Sequence, residues 1–143
     1  RKNKMILESA QMLSTTVRHL TPDTDLPVYR VAYLNHPCTI WVRQSRDNFR
    51  WLVSHMKSLF NQKVGLHKSA DLLPYFDKYA DSGDFPNEEL TPFANCARNQ
   101  ERGVDYSDVS DVHGAYRLYM NDRWKERNIA LTWRWGEEPE WRN

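Results

Sequence analysis

The feature that most constrains the fold is the spacing of apolar residues, which recur at three- and four-residue steps in two long stretches. The first stretch, residues 5–20, carries them at Ile6, Ala10, Leu13, Val17 and Leu20. A repeat of this period predicts an amphipathic α-helix with one apolar side. The opposite side of that helix carries Glu8, Gln11, Thr15 and Arg18. Thr21-Pro22-Asp23 is expected to end it.

A second amphipathic stretch follows Ser45, a residue type that commonly caps the N-terminus of a helix. Its inward positions are predicted to be Phe49, Leu52, Val53, Met56, Leu59 and Phe60. Before it, Asn35-His36-Pro37 predicts the entrance to a shorter helix, because proline is favoured in the first helical turn. A bend between Trp41 and Ser45 separates these two helices. A short extended piece is expected over residues 28–33.

The rest of the chain predicts two further helices and a long connection. Ser69 is expected to cap a helix that runs to about Ala80, with Pro74 inside it, and Ser110 to cap a last helix. Residues 81–106 are rich in Gly, Pro, Asn and Asp, which predicts a long functional loop. The C-terminal stretch "ALTWRWGEEPEWRN" is predicted to lie as an aromatic segment over the body.

The predicted fold is therefore all-α: a single compact domain over residues 1–143, with about five helices and long aromatic-rich loops. Its core is predicted to include Ile6, Leu13, Val17, Phe49, Leu52, Met56, Leu59, Leu118 and Tyr119. No apolar run approaches 18 residues, so no membrane span is predicted. Cys38 and Cys96 make no disulfide framework, which favours a reducing cytoplasm.

The net charge of +1 hides a strong asymmetry along the chain. Residues 1–68 carry 11 Lys and Arg against 4 Asp and Glu, a net charge of +7, and residues 69–143 carry 9 against 15, a net charge of −6. A basic half suggests a polyanion or phosphate partner. Alternatively, the acidic half folds over the basic half and the two neutralise each other.

The common catalytic signatures are absent from the sequence. There is no glycine-rich phosphate loop, no paired CxxC, no HExxH and no GxSxG. A zinc site could be imagined from His36, Cys38, His67, Cys96 and His113, but their spacing matches no familiar pattern. No metal site and no cofactor are therefore predicted.

Residues 32–52 hold the most informative polar groups, because three arginines and two tryptophans fall among residues predicted to be helical. The unpaired N–H groups of a helix N-terminus can bind an anion, and two helix starts are predicted here, at Pro37 and Ser45. The predicted substrate- and phosphate-binding residues are Arg43, Arg46, Asn48, His67 and Lys68, with His36 beside the first helix start. The alternative is that Asn35 and Ser45 only cap their helices and that the arginines lie in water.

Five segments of the chain carry a family resemblance. They are, in order, "KMILESAQMLST", "NHPCTIWVRQSRDNFRWL", "VGLHKS", "LTPFA" and "AYRLYM". With these segments the chain resembles a family of small proteins from tailed phages and some bacteria, mostly without an assigned function. The family usually starts with a segment carrying Asp, Cys and His and then Lys-His-Val-Val-Lys. Only "RKNK" precedes Met5 here, so that segment is expected to be missing or replaced.

The family is similar to proteins encoded with phage genes for thymine hypermodification, among them amino acid:DNA transferases. In that chemistry a 5-hydroxymethyluracil in DNA is pyrophosphorylated, and an amino acid then displaces the pyrophosphate. The resemblance therefore implies a transferase in the cytoplasm of an infected host cell. Its partners would be a free amino acid and a DNA base, either flipped out of the duplex or met in a single strand.

This chemistry assigns roles to the polar and aromatic residues. Glu8 takes the proton of the incoming amine or hydroxyl, with Gln11 one turn away as its orienting partner. Cations and N–H donors surround the leaving oxygens, a role for His36, Arg43, His67 and Lys68. Trp41 or Trp51 forms an aromatic wall on which the base stacks. We therefore predict one pocket lined by Glu8, Gln11, His36, Arg43, Asn48, Trp51 and His67.

Three other functions agree with the same sequence. One is a non-catalytic nucleic-acid-binding protein, in which the basic half holds the backbone and the tryptophans stack on bases. Another is a phage protein that inhibits a host factor through its acidic half. The third is a helical DNA glycosylase.

Overall fold

Five α-helices form the framework of the described residues, which in this computed structural model are 2–62, 65, 67–127, 133 and 136–142. The helices are α1 Lys2–Leu20, α2 Pro37–Gln44, α3 Arg46–Asn61, α4 Leu73–Ser82 and α5 Val112–Arg127. A 3₁₀ helix, Lys68–Leu72, precedes α4. The predicted mostly helical fold class is confirmed.

The sheet structure of the described residues is one small hairpin. Strand β1, Arg98–Asn99, pairs antiparallel with β2, Val104–Asp105, so that Arg98 faces Asp105 and Asn99 faces Val104. A 3₁₀ turn, Gln100–Arg102, joins them and ends at Gly103 in the left-handed region, with φ 64°. The loop predicted over residues 81–106 is otherwise irregular after α4 ends.

Backbone contacts divide the chain into two compact units, which we call unit 1 (Arg1–Pro92) and unit 2 (Phe93–Asn143). Unit 1 contains α1 to α4, and unit 2 contains the hairpin and α5. In unit 1, α1 packs against α2, α3 and the 3₁₀ helix. No helix of the described residues is long and apolar enough to cross a membrane.

Helix α1 is enclosed on more sides than its apolar spacing predicts. Of the predicted stripe, Ile6, Ala10, Leu13 and Val17 are fully buried, and Leu20 at the end of the helix is partly buried. The prediction that Thr15 lies on the outer side is wrong, because Thr15 is also fully buried. Its Oγ1 donates to the carbonyl of Ala32 at 3.0 Å and accepts from the N–H of the same residue at 2.9 Å.

Arg18 fixes the connection between α1 and α2. Its guanidinium donates to four carbonyl oxygens of that connection, those of Thr24, Leu26, Val28 and Tyr29. The extended piece predicted over residues 28–33 is not assigned as a strand. The carbonyl groups of this connection accept hydrogen bonds from side chains of α1, and not from the backbone of a second strand. The connection therefore has a fixed path without regular secondary structure.

The inner side of α3 meets an aromatic cluster. The predicted inward residues Phe49, Leu52, Val53, Met56 and Leu59 are buried, and Phe60 is only partly so. The ring of Phe49 lies 6.3 Å from that of Phe76, 5.6 Å from Tyr79 and 5.3 Å from Phe85. Tilted and edge-to-face rings at these distances are favourable arrangements, so the cluster joins α3 to α4 and to the loop after it.

The structure revises the predicted starts of two helices. His67, and not Ser69, caps the 3₁₀ helix: its Nδ1 accepts from the N–H of Ser69 at 3.1 Å. Helix α4 begins only at Leu73, which places Pro74 in the first turn, where its missing N–H removes no helical hydrogen bond. The last helix begins at Val112.

In unit 2, part of the predicted core is wrong. Leu118 is 45% exposed, and Tyr119 is only partly buried. The buried positions of α5 are Ala115 and Asn121. The apolar residues of this helix follow one another so closely that no single stripe stands out, so the spacing could not identify the inward face.

The predicted C-terminal aromatic segment lies partly outside the described residues, which exclude 128–132, 134, 135 and 143. What is described supports packing on α5. The rings of Trp124 and Trp141 stack at 5.5 Å and an interplanar angle of 16°. Trp133 meets Trp124 edge-on at 5.8 Å, and Asn121 donates to the carbonyl of Trp141 at 3.0 Å.

Candidate functional site

A groove of about 600 Å³ lies in unit 1 between α1, the connection after it and the start of α2. Its lining consists of Lys4, Leu7, Glu8, Gln11, Met12, Ala32, Tyr33, His36, Cys38 and Thr39. Three residues predicted to be catalytic, Glu8, Gln11 and His36, therefore share one groove. The volume is typical of a site for a small molecule.

Helix α1 supplies one wall of the groove. The lining positions are spaced by three and four residues, so they form a single face beside the buried stripe. Lys4 and Glu8 form an ion pair at 3.7 Å, with side chains that are 77% and 51% exposed. A pair that is this exposed contributes little to stability, so the Glu8 carboxylate can exchange Lys4 for a ligand at small cost.

His36 caps α2 with its side chain. Its Nδ1 accepts a hydrogen bond from the N–H of Cys38 at 3.2 Å, and Pro37 occupies the first helical position. Because Nδ1 serves as an acceptor, the neutral ring carries its proton on Nε2. The cap therefore fixes the tautomer of His36, which presents an N–H donor at the edge of the ring that is not used for capping.

Tyr33 forms an exposed aromatic rim of the groove and is held in an unusual backbone conformation. Its φ is 53°, in the left-handed region that residues with a side chain rarely adopt, and it is 75% exposed. Its carbonyl accepts from the N–H of His36 at 2.9 Å, and Arg43 donates to the carbonyl of Leu34. Strained residues of this kind concentrate at functional sites, so Tyr33 is a candidate ligand contact.

Thr39 is fully buried and lines the groove, yet its hydroxyl has no hydrogen-bond partner among the described residues. A buried hydroxyl without a partner is destabilising by about 1–3 kcal/mol. Ser14 and Thr16 are in the same condition, but neither lines the groove. Thr39 is therefore the one of the three that belongs to the wall of the groove, although its Oγ1 exposes no surface to the groove itself.

The two arginines predicted to bind phosphate direct their donors to the protein itself. Arg43 donates to the carbonyl of Leu34. The guanidinium of Arg46 donates to the carbonyls of Ala80, Asp81 and Gly83 and to the carboxylate of Glu88, and it lies 5.1 Å from the ring centre of Phe85. Its hydrogen bond to Glu88 lowers the pKa of that carboxyl below the usual range. Neither arginine lines the groove.

Four further predicted site residues also lie outside the groove lining. Asn48 is fully buried and joins α3 to Trp41 and Thr91. Trp41 is buried, and its indole N–H donates to the carbonyl of Thr91 at 3.2 Å. His67 caps the 3₁₀ helix, and Lys68 is exposed at its first position. The predicted pocket of seven residues is thus reduced to Glu8, Gln11 and His36.

Trp51 lies apart from the groove lining, on the outer side of α3. It is 41% exposed, and its ring stacks on that of His55 at 5.3 Å and an interplanar angle of 8°. Trp41 meets it edge-on at 5.8 Å. The base-stacking role of Trp51 therefore stays a prediction, and it concerns a surface of α3 that does not include Glu8 or His36.

His55 is expected to make the stability of unit 1 depend on pH. Burial lowers its pKa below the usual value, so the unfolded chain binds a proton more readily than the folded one. Stability is therefore present above the unfolded-state pKa of about 6.5 and is lost as pH falls below it. Urea unfolding at pH about 7.5 and about 5.5 measures the loss, which His55→Gln should reduce. An equal loss in this variant would contradict the assignment.

The charge asymmetry of the sequence is partly neutralised inside unit 1. Three ion pairs each join a basic residue of 1–68 to an acidic residue of 69–143: Arg46 with Glu88, Arg50 with Asp81, and Lys57 with Asp77. Unit 1 carries 12 Lys and Arg against 10 Asp and Glu, a net charge of +2. These contacts favour the internal neutralisation interpretation over a strongly basic binding face.

Comparison with protein-family models, with curated proteins and with solved structures finds no match. The family resemblance and the chemistry that it implies are therefore proposals. Within the described part of the chain, no group of three or more His, Cys, Asp or Glu is placed to hold a metal ion. The sequence reasoning did not identify Tyr33 or Thr39 as site residues, and neither the positive φ nor the missing hydrogen bond leaves a signal in the sequence.

Proposed function

We propose that the groove of unit 1 binds a planar heterocyclic ring and that the protein is a base-modifying transferase. In this proposal Glu8 is the general base, Gln11 orients the substrate ring and not the Glu8 carboxylate, and His36 is a hydrogen-bond donor. The observation that carries the proposal is that these three side chains share one groove of small-molecule size. The lining residues of the groove all belong to unit 1.

The groove offers both apolar and polar contacts to a ring. Leu7, Met12 and Tyr33 supply apolar and aromatic surface for its faces. The amide of Gln11 both donates and accepts hydrogen bonds, which fits the adjacent carbonyl and N–H of a thymine-like ring. Such mixed contacts specify orientation as well as shape.

The reaction implied by the family resemblance can be written with these residues. The amine of an amino acid attacks the methylene carbon of a pyrophosphorylated 5-hydroxymethyluracil, a C–N bond forms, and the C–O bond to pyrophosphate breaks. Pyrophosphate leaves with the electron pair of that bond, and the amine proton passes to Glu8. Lys4 is the cation in the groove lining, and it replaces Arg43 and Arg46 as the candidate partner of the leaving oxygens.

Replacing Glu8 by glutamine or His36 by asparagine is expected to lower turnover by about 10²–10⁴-fold, the usual contribution of a positioned acid or base. Stability should change by less than about 1 kcal/mol, because Glu8 is half exposed and asparagine retains the capping acceptor of His36. The assay is mass spectrometry of nucleosides from DNA that carries the pyrophosphorylated base, incubated with mixed amino acids and each variant.

Gln44→Ala is a suitable control, because Gln44 is exposed and lies outside the groove lining. If wild-type protein produces no modified nucleoside, or if both variants retain full turnover, the transferase proposal is wrong. Unfolding of either variant would instead assign the residue a structural role.

The exposed stack of Trp51 on His55 favours a second candidate function, a nucleic-acid-binding protein without catalysis. Stacking of a base on such a ring contributes about 1–3 kcal/mol and tolerates any sequence. Trp51→Ala would then weaken binding to single-stranded DNA by about tenfold or more, whereas Glu8→Gln would leave it unchanged.

A further inference from the structure

We infer that Tyr33 is the ring-stacking residue of the groove and that it makes the groove selective for a planar pyrimidine ring over a saturated one. The inference rests on the proposed function in taking the groove as the ligand site. It goes beyond that function by assigning to Tyr33 the stacking contact that the sequence predicts for Trp41 or Trp51. Among the described residues that line the groove, Tyr33 is the one with a Phe, Tyr or Trp side chain.

The first support is that the side chain of Tyr33 contributes little to the fold. The residue is 75% exposed, which is the highest value among the exposed large apolar residues that the structure describes. Its side chain makes no hydrogen bond and no ring contact with any described residue. A ring that is this exposed buries little apolar surface, so packing does not explain an aromatic residue at this position. The surface that the ring exposes lies at the groove.

The second support is the backbone of Tyr33, whose φ of 53° is unfavourable for a residue with a bulky side chain. Hydrogen bonds on both sides hold this conformation. The backbone N–H and carbonyl of Ala32 both bond to Oγ1 of Thr15, and the carbonyl of Tyr33 accepts from the N–H of His36. Glycine or asparagine adopts a positive φ at lower cost. Tyrosine at this position is destabilising, and strain of this kind concentrates where ligands bind.

The same turn of the chain, residues 33–36, joins the stacking ring to the hydrogen-bonding groups of the groove. His36 ends this turn, and Gln11 lies on the wall formed by α1. A planar ring that stacks on a phenol leaves its polar atoms at its edge, where an amide and an imidazole can bond to them. A saturated ring is puckered and has no π system, so it loses the stacking contact but keeps the polar edge. Selectivity for planarity therefore depends on Tyr33.

Thymidine and 5,6-dihydrothymidine are matched probes, because they carry the same hydrogen-bonding groups and differ in the planarity of the ring. We expect the whole chain to bind thymidine about tenfold more tightly, as measured by ligand-observed NMR titration. Tyr33→Asn removes the ring and retains a residue that tolerates a positive φ, so it should weaken thymidine binding about tenfold and leave 5,6-dihydrothymidine binding unchanged. Tyr33→Phe should bind both nucleosides as the wild type does.

Val31→Asn is the matched control, because Val31 is 52% exposed and lies two residues before Tyr33 but outside the groove lining. It should bind both nucleosides as the wild type does. Thermal unfolding tests whether the ring of Tyr33 supports the fold. Tyr33→Asn and Tyr33→Gly should have a Tm no lower than that of the wild type, because both substitutions relieve the backbone strain. A Tm several degrees lower in both variants overturns the inference.

Equal binding of the two nucleosides by the wild type overturns the inference, and so does a failure to bind thymidine. An equal loss of both affinities in Tyr33→Asn also overturns it, since a purely structural role would produce that result. The nucleoside assay on DNA separates this inference from the proposed function. A Tyr33-dependent preference for thymidine without modified nucleosides supports the inference and contradicts the transferase. Modified nucleosides from a protein without that preference contradict the inference alone.

Discussion

Replacing Asn48 by alanine is expected to lower the free energy of unfolding by about 3 kcal/mol, the largest effect among the polar residues of unit 1. Asn48 is fully buried, and its amide nitrogen donates to the carbonyl of Trp41 at 2.7 Å and to Oγ1 of Thr91 at 2.8 Å. Its amide oxygen accepts from the N–H of Thr91 at 2.9 Å. Alanine leaves these groups without partners, and each such buried group costs about 1–3 kcal/mol.

Urea unfolding followed by circular dichroism measures this loss. Asn48→Asp is the informative companion, because it retains the acceptor for Thr91 but removes the donor to Trp41 and introduces a buried charge. It should therefore be no more stable than the alanine variant. A loss below about 1 kcal/mol in Asn48→Ala would show that the residue is accessible to water, as a phosphate-binding role requires.

Arg46→Ala is expected to destabilise the protein by about 2–3 kcal/mol, whereas Arg50→Ala should cost less than about 1 kcal/mol. The two arginines lie one turn apart on α3, and each pairs with a carboxylate, which makes them a matched comparison. The side chain of Arg46 is only 16% exposed and also donates to three carbonyls at the C-terminal end of α4, while that of Arg50 is 47% exposed.

Arg46→Lys tests the geometry of the contact. Lysine retains the charge but cannot reproduce the planar fork of donors, so most of the loss should remain. Thermal unfolding of the three variants measures the order. If Arg46→Ala is as stable as Arg50→Ala, the carbonyl contacts of Arg46 contribute nothing, and the predicted role in phosphate binding becomes the better explanation.

The sequence predicts the helices of this fold well where a single apolar stripe dominates. The stripes of α1 and α3 are buried as expected, and the break between α2 and α3 falls at Ser45, whose side chain caps α3. In α5 the spacing does not identify the buried side, because apolar residues occupy adjacent positions, and the predicted core residue Leu118 is exposed. The division after Pro92 falls inside the loop predicted over residues 81–106, whose composition indicates a connection but does not indicate a boundary between two units.

The sequence predicts the residues of the candidate site only where the geometry of one helix is enough to place them. Glu8 and Gln11 follow from the outer face of α1, and His36 from the entrance to α2, so these three share the groove. The sequence predicts a phosphate role for the arginines because it cannot distinguish the two acceptors: the same guanidinium donors suit a phosphate oxygen and a backbone carbonyl. Which of the two acceptors an arginine meets depends on the path of loops such as residues 83–88, which no local pattern specifies.

The ion pairs between the two halves of the sequence have a consequence for the order in which this protein is made. A ribosome releases the basic residues 1–68 first, with their net charge of +7, before their acidic partners exist. Arg46, Arg50 and Lys57 meet those partners only when residues 77–88 emerge. Until then α3 lacks both the aromatic rings that pack on Phe49, those of Phe76, Tyr79 and Phe85, and the carboxylates that pair with its basic residues. The nascent chain can therefore complete the fold of unit 1 only after the last third of unit 1 has been synthesised.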